Sequence, residues 1–79
     1  MIKVYVINPN TPQVDAVLAV LVLEGFSYEV IVDEDYVLKQ AKGRVNPDDG
    51  VVVLFPTDEF VVGFWNFIEY LRLTGTVRL

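Results

Sequence analysis

Short β-branched runs alternate with helix-forming stretches along the 79 residues of this chain, and that alternation limits its fold more than any other feature. Ile2 to Ile7 is a β-branched run closed by Asn8-Pro9-Asn10, residue types that favour turns. Thr11 to Glu24 reads as a helix. Asn10 or Thr11 can cap it, Pro12 fits the first turn where its missing N–H costs nothing, Asp15 complements the dipole, and Gly25 closes it. With Asn10 as the cap, Gln13 would complete a capping box. Tyr28 to Val32 is a second strand, and Asp33 caps a short helix running to about Lys42 and closed by Gly43. The loop from Arg44 to Asp49 carries the turn signal Asn46-Pro47-Asp48. Val51 to Phe55 and Phe60 to Val62 form a hairpin around Pro56-Thr57-Asp58-Glu59, and Gly63 ends it. Phe64, Phe67, Ile68 and Leu71 then recur at the spacing of one helix face turned to a core. The predicted order is βαβαββα.

A chain of this length forms one domain, residues 1–79, and buries only about 60% of the surface its unfolded form exposes. Cysteine and histidine are both absent, which removes disulfides, thiolate nucleophiles, imidazole bases and the usual zinc ligand sets. Stability must come from the core, and 53% hydrophobic residues, with aromatics at 13%, can supply one. No segment reaches the roughly 18 apolar residues of a membrane span. The start Met1 to Ile7 is too short and too β-branched for a signal peptide, so a cytoplasmic location is expected.

The net charge of −5 gathers at Asp33-Glu34-Asp35, Asp48-Asp49 and Asp58-Glu59, which argues against binding nucleic acid or an anionic membrane and favours a basic or apolar partner. Each cluster also falls where a cap or turn is expected, and solvated turns are the simpler account. Paired general acid–base chemistry needs two carboxylates facing one cleft, and these fall mostly in turns and caps. Asp33 and Asp35 are spaced like the first ligands of a calcium loop, but the glycine and glutamate of that loop do not follow. No phosphate-binding glycine motif is present, and no metal or cofactor is expected. The helix start at Asn10 and Thr11 could hold an anion, with capping the simpler use.

Lys3-Val4-Tyr5, the turn before Thr11-Pro12, Gly25-Phe26-Ser27-Tyr28-Glu29, Val32-Asp33-Glu34-Asp35, Gly43-Arg44 and Val62-Gly63-Phe64 occur in an order and spacing that resemble a small glutaredoxin. The resemblance covers nearly the whole chain. It extends to the short glutaredoxin-like proteins of bacteria and their phages that donate electrons to ribonucleotide reductase. It implies a thioredoxin-like α/β fold (α+β by some schemes), with a four-stranded mixed sheet flanked by helices, the first two strands parallel and the last two an antiparallel hairpin.

Carried over residue by residue, the resemblance places Thr11 where the family has its nucleophilic cysteine and Val14 where dithiol members have the resolving one. A threonine hydroxyl forms no mixed disulfide. Gln13 stands at the position of an aromatic residue common in the family, and Pro12 is retained. The family's cis-proline aligns with Val51 or Val52 on one count and with Pro47 on another. A non-proline cis bond costs about 2.5–4 kcal/mol, so trans peptides are predicted at Val51 and Val52. Of the glycines and carboxylate that the family places before its last helix, Val62-Gly63-Phe64-Trp65-Asn66 keeps one glycine and no acid. Glutathione binding is thus in doubt at several positions, and no enzymatic activity is expected.

Val14 to Glu24 is apolar almost all the way round, whereas a surface helix shows a polar face. Leu18, Val22 and Leu23 occupy positions that are commonly charged in glutaredoxins, and Leu18 and Val22 form a row with Asp15. Such a row either packs under neighbouring loops or serves as an interface. Trp65 lies off the apolar face of the last helix and is a candidate second anchor. The function expected is that of a redox-inactive, glutaredoxin-like protein-binding module, phage or bacterial in origin. It would dock on a protein partner or form a homodimer through Leu18, Val22, Leu23 and Trp65. The alternative is a small-molecule binding or regulatory protein that uses the groove beside the remnant loop Thr11, Pro12, Gln13 and Val14.

Overall fold

The computed structural model describes residues 1–41 and 50–74. Along the chain run strand β1 (Ile2–Val6), helix α1 (Pro12–Leu23), strand β2 (Tyr28–Val32), helix α2 (Glu34–Ala41), strands β3 (Val51–Leu54) and β4 (Phe60–Val62), and helix α3 (Phe64–Leu73). The architecture is α+β, with a four-stranded mixed sheet in the order β2-β1-β3-β4. β1 lies parallel to β2, with Val4 beside Val30, while β3 runs antiparallel to both β1 and β4. No described peptide bond is cis, those at Val51 and Val52 included. Lys42, Gly43, Pro47 and the expected turn around it lie outside the described residues.

The helix limits follow from local chemistry. Thr11 is extended (φ −110°, ψ 152°) and its Oγ1 accepts from the Val14 N–H at 3.3 Å, with Pro12 next in line. The cap is Thr11, so Gln13 falls one place short of the position a capping box requires, and the expected box does not form. Asn10 instead donates its N–H to Asn8 Oδ1 at 3.0 Å. At the far end, Phe26 N–H donates to Leu21 C=O (2.9 Å) and Gly25 N–H to Val22 C=O (3.1 Å), with Gly25 at φ +75°. This pair of bonds, with Phe26 packed against the core that contains Leu21, is a Schellman closure. A Cβ on Gly25 would meet nothing within 4 Å, so Gly25→Ala isolates the backbone cost of the left-handed conformation. The expected loss is about 1–2 kcal/mol in urea unfolding; an unchanged midpoint would show that the turn relaxes freely.

Asp33 caps α2 through Oδ1, which accepts from the Tyr36 N–H at 3.0 Å. The hairpin turn places Asp58 at φ +68°, with Asp58 N–H donating to Phe55 C=O and Phe55 N–H to Glu59 C=O. This is the three-residue loop in which a type I turn is followed by a left-handed residue.

The main core lies on one face of the sheet. Ile2, Val4, Val6, Val51, Val53 and Phe55 of the sheet side meet Val14, Val17 and Leu21 of α1 and Phe67 and Leu71 of α3. Of the face predicted for the last helix, Phe67 and Leu71 are buried, while Phe64 and Ile68 pack partly against the cluster. On the opposite face α2 buries Val37 and Ala41, and the Tyr36 ring lies 4.0 Å from that of Tyr5.

Two tyrosines should make the fold sensitive to alkali. A hydrogen bond to Glu59 raises the Tyr70 hydroxyl above its ordinary value, aided by burial and the nearby negative charge and opposed by a hydrogen bond with Thr57. Burial, with the neighbouring Tyr5, raises Tyr36 against a lowering contact with Gln40. A pKa raised by folding means that the neutral hydroxyl is favoured in the native state. Its contribution is complete below about pH 10 and lost as pH rises through the folded values. Thermal midpoints should fall across that window, and less so in Tyr70→Phe. A midpoint that stays flat while both tyrosines titrate would contradict this account.

Candidate functional site

The remnant loop is built into the scaffold. The Thr11 hydroxyl is engaged as the α1 cap, and Val14 is 1% exposed within the core. Neither position that would carry sulfur in the resembled family presents a reactive group. Gln13 is half-buried, and its Oε1 is shielded from water with no hydrogen-bond partner among the described residues.

Pro12, Gln13 and Ala16 from the start of α1 join Phe64 and Trp65 from the start of α3 around an open hollow of about 190 Å³. The two helix starts meet because α1 and α3 pack side by side on the same sheet face. Gly63 admits the chain to α3 at φ +86°, and Asn66 Nδ2 donates to Val62 C=O at 2.8 Å, which secures the first turn. Trp65 stands 78% exposed with its ring edge-on to Phe64, centroids 5.3 Å apart.

The predicted interface residues fall into different settings. Val22 and Leu23 are exposed at 62% and 82%, whereas Leu18 is half-buried and packs against the core. The sheet buries Val14, Val17 and Leu21, and Leu18 sits at the margin of that face. Sequence reading singled out Pro12 and Leu23 but not Ala16 and Ala19, which link them. Pro12, Ala16, Ala19 and Leu23 recur at spacings of four, three and four, which places them in one row on α1. The row runs from the hollow under Trp65 to the end of the helix, about 16 Å at 1.5 Å per residue. Its middle is floored by two alanines, so another backbone can approach closely there. The signal was present in the spacing, but an almost wholly apolar helix offers many such rows and no ground for choosing one.

Asp15 beside the row and Glu24 at its end are the charged residues of this segment, and α1 carries no basic residue. The surface is therefore apolar with an acidic margin. Among the described residues no group of three or more carboxylates could hold a metal ion, and no helix is long and apolar enough to cross a membrane. Comparison of the chain with protein-family models, with curated proteins and with solved structures gives no match.

Proposed function

We propose that this chain is a redox-inactive relative of the glutaredoxins, with a thioredoxin-like fold, that binds another protein through the outer row of α1 and Trp65. The observation that carries this reading is the exposure of Val22 and Leu23 on α1 and of Trp65 at the start of α3, beside a helix whose two would-be cysteine positions are occupied by a cap and a core residue. Exposed apolar side chains arranged along one helix cost solubility unless something covers them. Small residues at Ala16 and Ala19, between larger ones at either end, fit a partner helix laid along α1. The acidic margin at Asp15 and Glu24 favours basic residues at the edge of that partner. The resemblance sets the protein in the cytoplasm of a bacterium or of a phage-infected one, acting without catalysis.

Val22→Glu/Leu23→Glu tests the reading, because both side chains already face water and their replacement leaves the core untouched. Tagged wild-type protein should capture a near-stoichiometric partner from its own cell lysate, and the folded double variant should lose it. Equal capture by both proteins would overturn the α1 surface.

A small-molecule site remains as a second reading because of the unpartnered Gln13 Oε1 beside the hollow. It predicts thermal stabilisation by glutathione or a simple anion with no change in molecular size, and the α1 double variant should retain that stabilisation.

A further inference from the structure

We infer that the protein self-associates through the free edge of β2, pairing antiparallel with β2 of a second copy to make one continuous sheet. β2 is an end strand, hydrogen-bonded among the described residues to β1 alone. Ile2 N–H donates to Ser27 C=O and Asp33 N–H to Val6 C=O, each at 3.0 Å. In a parallel ladder these bonds direct the backbone groups of the odd-numbered residues of β2 toward β1. The N–H and C=O groups of Tyr28, Val30 and Val32 therefore point away from the sheet. Val30 and Val32 are themselves 36% and 62% exposed, so a strand edge with no partner among the described residues coincides with uncovered apolar side chains.

The segment is self-complementary. A two-fold axis at Val30 sets Val30 against its counterpart and Tyr28 against Val32. The three outward residues of each copy then form three facing pairs, each closing two hydrogen bonds, about six in all. On the core side of the sheet the facing pairs are aromatic with β-branched or β-branched with itself, combinations that stabilise antiparallel strands. On the other side Glu29 faces Ile31, and Ser27 faces Asp33, so no like charges stand directly opposed. Lys3 of the same chain lies beside Glu29 in the β1 ladder. The pairing staggers the acidic side chains, with Glu29 diagonal to its counterpart and to Asp33 of the second copy, so their repulsion is weakened by distance and by salt.

The other edge of the sheet is built differently. β4 has three residues, and the Gly63 N–H bond to Val51 C=O turns the Val62 carbonyl outward, where Asn66 already donates to it. Short length and a filled acceptor are the usual protections of an edge strand, and β2 has neither. This inference is independent of the family reading and of the α1 surface.

The test is light scattering and sedimentation of the full-length protein across a dilution series. The mass should rise from the 8.9 kDa of one chain toward twice that value with concentration, and more readily at higher salt, which screens the −5 charge on each copy. Val30→Pro removes an outward N–H and leaves the β1 ladder intact, as proline on an edge strand does. It should hold the protein at monomer mass with its circular dichroism retained. Val32→Lys, a charge placed at the same edge, should do likewise and serves if the proline variant fails to fold. Val22→Glu/Leu23→Glu should leave the dimer unchanged, which separates this edge from the α1 surface. A wild-type mass that stays at 8.9 kDa at every concentration, or a dimer that persists in both edge variants, would overturn the inference.

Discussion

Phe67→Ala is expected to lose about 3–5 kcal/mol and bring the protein to the edge of unfolding. Phe67 is fully buried in the main core, between α3 and the sheet. Its ring stacks near Phe55 at 6.3 Å, and Phe55 in turn stacks on Tyr70 at 4.3 Å. Truncation removes the largest fully buried side chain and leaves a void between α3 and the sheet, which the branched valines around it are too stiff to fill. For a domain of this size the total stability is roughly 4–12 kcal/mol, so the loss is a large share of it. Urea unfolding followed by circular dichroism measures the effect. A cooperative transition shifted by less than about 1 kcal/mol would mean that the site collapses without cost and that Phe67 does not organise the core.

Trp65→Ala should have the opposite profile. The indole is 78% exposed and touches Phe64 edge-on, so folding stability should change by about 0.5 kcal/mol or less. Partner binding should weaken by about 2 kcal/mol or more, roughly thirtyfold, as expected of an aromatic anchor beside a hollow. Trp65 is the sole tryptophan, so intrinsic fluorescence reports on it alone. Its emission should be that of a water-exposed indole, quenched by acrylamide, and should shift blue with loss of quenching when the captured partner is added. Binding that is unchanged in the variant, with emission indifferent to the partner, would remove Trp65 from the docking surface and leave the α1 row to be tested alone.

The positions of strands and helices were legible because the signals that set them act within a few residues. The Thr11 and Asp33 caps, the left-handed Gly25 and the break at Gly63 each work through bonds or dihedrals confined to one turn. The 3.6-residue recurrence in α3 likewise marked Phe67 and Leu71 as core before any fold was known. Even so, the choice between Asn10 and Thr11 as cap depended on the path of the incoming turn, which the Asn8 side chain holds.

The proposed docking surface was harder to read, because in α1 almost every position is apolar and periodicity cannot single out a buried side. The sheet selected Val14, Val17 and Leu21, relegated Leu18 to the margin, and left Ala19, Val22 and Leu23 facing outward. Similarly, Tyr28–Val32 could be recognised as a strand from its residues, but its place at the edge followed only from the pairing of β1 with both β2 and β3. Local propensity and capping determined which segments are helix or strand. Long-range packing and strand order determined which apolar residues became core and which remained available to a partner, because burial is a property of neighbours brought together from distant parts of the chain.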